Sequence, residues 1–588
     1  MKKTKPERET WGKWSEFFFS IVGLVVGLSN IWRFPYLCYI NGGGAFLIPF
    51  FIFMIFAAIP TLLLENAVAQ FANLGPGKVW VMCPLFKGVG TAMVIINALI
   101  GIYYNVIIAW VLYYLYTSMH PTLAWSTCNN TWNTHLCYDS IYLMKNSRDN
   151  STLDTMLNTT LDVNVSSSLV LKSSVEEYWE RHVLNLSPSV NNIGTVRPPL
   201  LLCLFLIWLI TFLCLSRGIK TSGKVVYVAA TLPYVFLTIL LIRGLTLPGS
   251  MDGIYYFVKP NWEKVKDISV WKDAATQILF SIGVGIGGLS TLASYNDFHN
   301  DCQRDAVILP IIDGLTSFLS GLTSFSILGY MAHLRKTDLD NVISKGPGIA
   351  FIVYPQALST LPFAQIWAVM FFAMLVLVGL DSQFAHVQVI VTAITDAFPE
   401  KFGNHQTFIT GIVCLISFIF GITCVTEGGL YVLQIIDWYC ASLSLLLILF
   451  AEMVGIIWIY GAKRLENDIS LMLGRRPWPI WKPFWVIIDP LCVLGLWVLS
   501  IISFKHLTYG DGSMFPKWTN YTGWGIALFT ILPVPILGTV EIMKHKGSLL
   551  NRLKQSVKPT AEWCPAKSRV DLKISISKPE EEVDSHLL

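Results

Sequence analysis

The stretches Gly23-Leu24-Val25-Val26-Gly27-Leu28-Ser29-Asn30 and Gly283-Val284-Gly285-Ile286-Gly287-Gly288 decide the fold of this 588-residue chain. Each interrupts an apolar segment that otherwise reads as a membrane-crossing helix. Glycine lowers the cost of unwinding, and unwound backbone at mid-membrane leaves amide and carbonyl groups that something bound must satisfy. Counted along the chain, these segments are the first and the sixth. A spacing of five puts them at corresponding positions of two five-helix halves, the pattern of an inverted repeat with a midplane site between broken helices. The same glycines would also serve close helix packing of the small-xxx-small kind.

The surrounding composition fits a membrane solvent. Hydrophobic residues make up 54% of the chain and charged residues 14%, with a mean hydropathy of +0.56, too apolar for a soluble chain of this length. Uncharged apolar runs recur at 89–118, 200–216, 225–242, 366–380, 407–425, 441–451 and 523–540, and others are broken by isolated polar residues. At about 20 residues per crossing of a roughly 30 Å hydrocarbon core, the chain predicts about twelve transmembrane helices and an all-α membrane protein.

Basic residues orient these spans. Lys2, Lys3, Lys5, Arg8 and Lys13 precede the first span, with no cleavable leader before it; Arg217, Lys220 and Lys224 follow the fourth, and Lys544, Lys546, Arg552 and Lys554 follow the last. The positive-inside rule then keeps both termini in the cytoplasm. We read 1–14 as an N-terminal tail, 15–545 as a twelve-helix domain and 546–588 as a C-terminal tail. The net charge of +4 reflects this topology and predicts a lipid bilayer as partner, with no nucleic acid. Nothing in the sequence singles out an accessory membrane protein or a homo-oligomer contact.

Between the third and fourth spans lies a polar loop, 119–197, with N-x-S/T sequons at Asn129, Asn150, Asn158, Asn164 and Asn185; another, Asn520, precedes the last span. These predict an extracellular, glycosylated surface. The loop also holds Cys128 and Cys137, a disulfide if that side is oxidising and a pair of free thiols otherwise.

Ionisable groups inside apolar spans sharpen the reading. Arg33, Asp313, Asp381 and Asp437 lie in or beside such spans, where a lone charge costs at least about 2.5–3.5 kcal/mol. They need partners or ions. No P-loop is present, and the scattered Ser, His and Asp residues form no catalytic pattern, so no enzyme is expected.

The run Gly27-Leu28-Ser29-Asn30-Ile31-Trp32-Arg33-Phe34-Pro35-Tyr36 with Asn41-Gly42-Gly43-Gly44-Ala45-Phe46 closely resembles the signature of the neurotransmitter:sodium symporters, solute carrier family 6. So do Ser294-Tyr295-Asn296 and Gly379-Leu380-Asp381-Ser382-Gln383-Phe384, and the resemblance runs from about Arg8 to Lys554. It implies the five-plus-five fold of the bacterial leucine transporter type and symport at the plasma membrane by alternating access. Carried over by motif, it implies two Na+ sites: one from the Val25 carbonyl, Asn30, Ser281 and Asp313, the other from the carbonyls of Gly23, Val26 and Val378 with Asp381 and Ser382. Oxygen cages of this kind suit a hard cation that must also leave. Arg33 and Asp437 are similar to the family's extracellular gate pair, and Arg8 and Trp11 with Asp396 and Tyr295 to its cytoplasmic latch.

The same resemblance implies a small amino-acid-like substrate. Amino acid carriers have Gly, as at Gly27, where monoamine carriers have Asp. Tyr104 would bond the carboxylate, with Leu24, Val25, Leu28, Ser29, Ile100, Phe280, Ser281, Ile286, Gly288, Ser382 and His386 around the rest. The sixth span and the tail motif Lys558-Pro559-Thr560-Ala561-Glu562-Trp563 are similar to proline, glycine and broad-specificity carriers. A neutral amino or imino acid is therefore expected, ahead of GABA, betaine or taurine, or of a transport-poor receptor or trafficking partner. At the family's chloride site Gln277, Ser281 and Ser317 match, but Phe50 replaces Tyr and Asp313 replaces Asn. Weak or absent dependence on Cl- follows.

Overall fold

The computed structural model describes residues 10–139, 172–216, 218–339, 349–403, 405–509 and 512–566. The chain is built from helices, with one two-residue parallel strand pair joining Cys137–Tyr138 to Lys172–Ser173 in the large loop. Among the described residues ten helices are long and apolar enough to cross a bilayer, and an eleventh crossing is a bent pair, Trp14–Val25 and Ser29–Ile40, meeting at 44°. The expected sixth span appears as Ile268–Ile282 and Gly288–Ala293, two pieces individually too short to cross alone. The expected count of about twelve thus exceeds the crossings that length and composition identify.

The interruptions fall where the glycines predict. The first helix stops at Val26, whose φ of −87° and ψ of 83° form an inverse γ-turn in which Gly27 N donates to Val25 O at 3.2 Å. In the sixth segment Gly283, Gly285 and Gly287 take φ of 75°, 74° and 86°. Three left-handed residues in five are tolerable only as glycine, because a Cβ there collides with the following carbonyl.

Helices Gly44–Ala72 and Pro84–Ser118 form the interior, their most apolar windows each 67% buried, whereas Trp481–Ile502 and Lys517–Lys544 are 28% and 17% buried and present apolar side chains outward. Outward apolar faces on the peripheral helices are what a lipid solvent requires. Helix Ala364–Ala397 packs along Lys87–Ser118, and the broken first helix lies against both Ala364–Ala397 and Ile219–Leu245. The two interruptions therefore meet between the third and eighth spans.

Outside the spans, Cys128 and Cys137 are disulfide-bonded, resolving that pair in favour of the disulfide. Beside them Glu177 accepts from Thr134 N at 2.9 Å and from Asn133 Nδ2 at 3.1 Å. Burial raises the Glu177 pKa, but the bonds from Thr134 and Asn133 outweigh it and hold the carboxyl below its ordinary value. At the far end Trp563 Nε1 bonds Tyr460 OH at 3.0 Å and Lys78 pairs with Glu562 at 3.2 Å, docking the C-terminal segment onto the bundle.

Candidate functional site

Between the interruptions lies a cavity of about 60 Å³ lined by Leu24, Gly27, Ser29, Asn97, Ile100, Tyr104, Phe280, Ser281, Gly283, Ile286, Gly288, Ser382 and His386. Ten of the expected substrate residues are on this lining. The exceptions are Val25 and Leu28, whose side chains are 0% and 1% exposed in the hydrophobic core, so only their backbones serve the site. Leu28 N donates to Tyr104 OH at 3.3 Å. Gly27 is small for a reason the geometry gives: a Cβ there would sit 3.1 Å from Ser382 Oγ and 3.5 Å from Tyr104 OH, inside the cavity.

Two lining or adjoining residues escaped the sequence reading. Asn97 donates from Nδ2 to Met93 O at 2.7 Å and to Ile286 O, and its Oδ1 lies 2.8 Å from His386 Nδ1. Glu65 accepts from Gly285 N at 2.5 Å and from Ser290 Oγ at 3.4 Å. Together they satisfy the unwound backbone of the sixth segment. Glu65 carried a signal, since an acid inside an apolar span marks a functional site by default; Asn97, uncharged in the apolar run 89–118, carried little.

Asp381 lies beside the first interruption. Both its carboxylate oxygens are buried without a hydrogen-bond partner, and they face a small cavity of about 10 Å³ lined by Val22, Gly23, Val26, Val378 and Asp381 with Ala229, Ala230 and Pro233. A Cβ on Gly23 would come within 2.7 Å of Asp381 Oδ2. Ser382 Oγ donates to Gly23 O at 3.3 Å and to Leu24 O at 3.4 Å. An orphaned carboxylate, backbone carbonyls and room for one small occupant suit a desolvated monovalent cation.

The other expected ion residues also converge. Asn30, fully buried, donates from Nδ2 to Asp313 Oδ1 at 2.6 Å, Ser317 Oγ at 2.9 Å and Ser281 Oγ at 3.1 Å, and Ser281 Oγ donates to Asp313 Oδ1 at 2.8 Å. Asp313 Oδ2 is buried without a hydrogen-bond partner. Asn30 presents nitrogen to this cluster while its Oδ1 accepts from Gly27 N at 2.9 Å. To ligate a cation through oxygen, the amide must turn over and release Gly27. The donor set fits, and its present orientation does not. Gln277 Nε2 reaches Ser29 O at 3.4 Å, and Phe50 is sealed against Phe34 with ring centroids 4.9 Å apart.

The residues expected as gates differ in their contacts. Arg33 and Asp437 form no ion pair: the Arg33 guanidinium lies 4.7 Å over the Phe280 ring, and Asp437 accepts from Tyr103 OH at 2.8 Å. On the opposite side Trp11 Nε1 donates to Leu292 O at 3.0 Å, Trp11 N to Tyr295 O at 3.0 Å, and Tyr295 OH bonds Thr392 Oγ1 at 2.7 Å. Asp396 Oδ2 accepts from Gly75 N at 2.9 Å. Arg8, Asn150, Asn158 and Asn164 lie outside the described residues. Of the other sequons, Asn129 lies in the loop beside the disulfide, exposed Asn185 bonds Glu427 at 2.9 Å, and Asn520 accepts from Tyr439 OH at 2.9 Å inside a helix.

A many-helix membrane protein with a mid-membrane cavity between two interrupted helices and orphaned carboxylates beside it is a carrier of small solutes. Residues 8–545 match the model of the sodium:neurotransmitter symporter family. The chain is 43% identical over 579 residues to the sodium- and chloride-dependent glycine transporter 2 of Xenopus laevis, covering 95% of this chain and 73% of that protein. It is 42% identical to the creatine transporter of Torpedo marmorata, covering 94% of this chain and 88% of that protein. It is likewise 42% identical to the sodium- and chloride-dependent GABA transporter 2 of Rattus norvegicus, over 96% and 92% respectively. The chain belongs to the sodium:neurotransmitter symporter family, an integral membrane family of sodium-coupled transporters and not of enzymes.

Proposed function

We propose that this protein carries a small neutral amino or imino acid into the cell together with sodium, with Asp381 and Asp313 anchoring two Na+ sites. The observation that carries the reading is the cavity itself, lined from both interruptions. Its lining of apolar Leu24, Ile100 and Ile286 beside Gly27, Ser29 and Tyr104 suits a small zwitterion, and the named glycine, creatine and GABA carriers are about equally similar. Gly27 and Tyr104 leave space for a carboxylate and supply no partner for a lone ammonium. Asp313 and Phe50 support weak or absent chloride dependence, because one adds a fixed negative charge and the other removes a hydroxyl.

The made cytoplasmic contacts and unmade Arg33–Asp437 pair fit an outward-facing member of an alternating-access cycle. We further take both termini as cytoplasmic, the 119–197 loop as extracellular and glycosylated, and the 268–293 segment as one more, interrupted crossing, giving twelve. Uptake of a radiolabelled amino acid panel with GABA, betaine and taurine, in sodium and in choline medium, tests the assignment. Asp381→Ala should reach the surface and lose sodium-dependent uptake. Uptake with the same sodium dependence in that variant would remove Asp381 from the ion site.

A further inference from the structure

One end of the cavity is polar in a way that fixes its hydrogen-bonding sense. Asn97 is fully buried in the third span, and its amide nitrogen is committed to two backbone carbonyls, Met93 O and Ile286 O. Neither carbonyl can donate, so the amide orientation is set and Oδ1 is the atom that faces His386. His386 Nδ1, 2.8 Å away, must therefore carry the proton. Among the described residues no acid hydrogen-bonds or ion-pairs with the ring, and Tyr104 lies edge-on to it with centroids 5.8 Å apart. A buried imidazole without a charged partner stays neutral, which leaves Nε2 unprotonated. Among the described residues only Nδ1 of the ring is hydrogen-bonded, and His386 lines the cavity together with apolar Leu24, Ile100 and Ile286.

We infer that the Asn97–His386 pair makes this end of the cavity a hydrogen-bond acceptor, so the favoured solute is a small zwitterion with an N–H or O–H donor remote from its carboxylate. The inference rests on the solute-carrier reading above and narrows it. A buried polar acceptor rejects an analogue that replaces the donor by a methyl group, since the acceptor is then desolvated unpaired; discrimination of about 10- to 100-fold is expected. Asn97 is a positioning residue, holding the tautomer and at the same time the unwound Ile286 carbonyl.

Two matched pairs test this: serine against 2-aminobutyrate, and 4-aminobutyrate against pentanoate. Sodium-dependent thermal stabilisation of the purified full chain reads binding, and uptake in cells reads transport. The donor-bearing member of one pair should bind at least tenfold more tightly, and the pair that responds tells a side-chain donor from a terminal amine. His386→Phe should bring that ratio to about one with sodium affinity unchanged, and His386→Gln, which restores an oxygen acceptor, should recover part of it. Equal binding within both pairs, binding of none of the four, or an unchanged ratio in His386→Phe overturns the inference. Should His386→Phe fail to fold, the wild-type ratios still decide. Uptake without discrimination defeats this inference alone, whereas discriminating binding with no uptake supports it and defeats the transport reading.

Discussion

Replacing Asp313 by Asn isolates the charge that distinguishes this ion cluster. The carboxylate is fully buried, with Oδ1 at 2.6 Å from Asn30 and 2.8 Å from Ser281, and Oδ2 unpartnered. An amide at this position keeps the shape and removes the charge. A cation held within this cluster lies about 4 Å from the carboxylate, where an effective dielectric near 20 gives about 4 kcal/mol of attraction. Losing it weakens sodium binding by two to three orders of magnitude, at about 1.4 kcal/mol per tenfold. A mobile anion restores the balance only if donors hold it, and Phe50, sealed against Phe34, offers none. Asp313→Asn should therefore lose uptake at physiological sodium, while Asp313→Asn with Phe50→Tyr should regain it in chloride. The assay is sodium-activated current or uptake in chloride and in gluconate, normalised to surface protein. Wild-type uptake should persist in gluconate. A wild-type protein silent in gluconate and restored by chloride would refute the fixed-charge argument.

Gly23→Ala should abolish sodium-dependent uptake while sparing surface delivery, because its Cβ would fall within 2.9 Å of three Asp381 side-chain atoms; normal sodium activation in the variant would separate Gly23 from the Asp381 site. Removing the Cys128–Cys137 disulfide, nine residues apart in sequence, should cost the loop about 2.5–3 kcal/mol on the chain-entropy model and lower surface expression; surface biotinylation of the double Ser variant reads this, and unchanged delivery counts against it. Glu177 has a folded-state pKa below its unfolded one, so its stabilisation is present above the unfolded value near 4.5 and lost as pH falls through the folded value. Loop protection from protease should accordingly hold at neutral pH and weaken below about 4.5, and Glu177→Gln should flatten that pH dependence; an identical profile in the variant removes Glu177 from the account.

The legible features were those written in composition and local backbone chemistry. Glycines at 283, 285 and 287 foretold the sixth-segment interruption, because only backbone freedom permits their positive φ, whereas the first helix breaks at Val26 and Gly23 and Gly27 are small because a Cβ would meet Asp381 and Ser382; buried acids at 313 and 381 foretold where charge would collect. What could not be read was which atom of a residue faces the site. Val25 and Leu28 sit within the broken segment, yet their side chains point into the core and only their peptide groups remain available. Asn30 was placed correctly, but its amide sense depends on Gly27, Ser281, Asp313 and Ser317 at once, from three separate segments. Asn97 acquires meaning only when Ile286 and His386 arrive beside it. The shortfall from twelve crossings has a local cause as well, since an interrupted helix of 15 and 6 residues fails any test of continuous length.

The gate contacts connect the site to the motion the fold must make. Arg33 leaves the broken first helix over Phe280, a cavity-lining ring of the sixth segment, while Asp437 is held by Tyr103 on the third span. A cation–π contact at a partly exposed site is worth about 0.5–1 kcal/mol, less than a charge-assisted hydrogen bond, so the exchange of one partner for the other is inexpensive. Phe280 both lines the cavity and carries Arg33, so any movement of that ring alters the surface on which Arg33 rests. On the transport reading proposed above, that single side chain would link an occupant of the cavity to the Arg33–Asp437 pair. At the opposite end of the site the bonds of Trp11 to Leu292 and Tyr295 tie the N-terminal segment to the second half of the same sixth segment. Both sets of proposed gate residues therefore touch one interrupted element, whose two halves are separated by the positive-φ glycines at 283, 285 and 287.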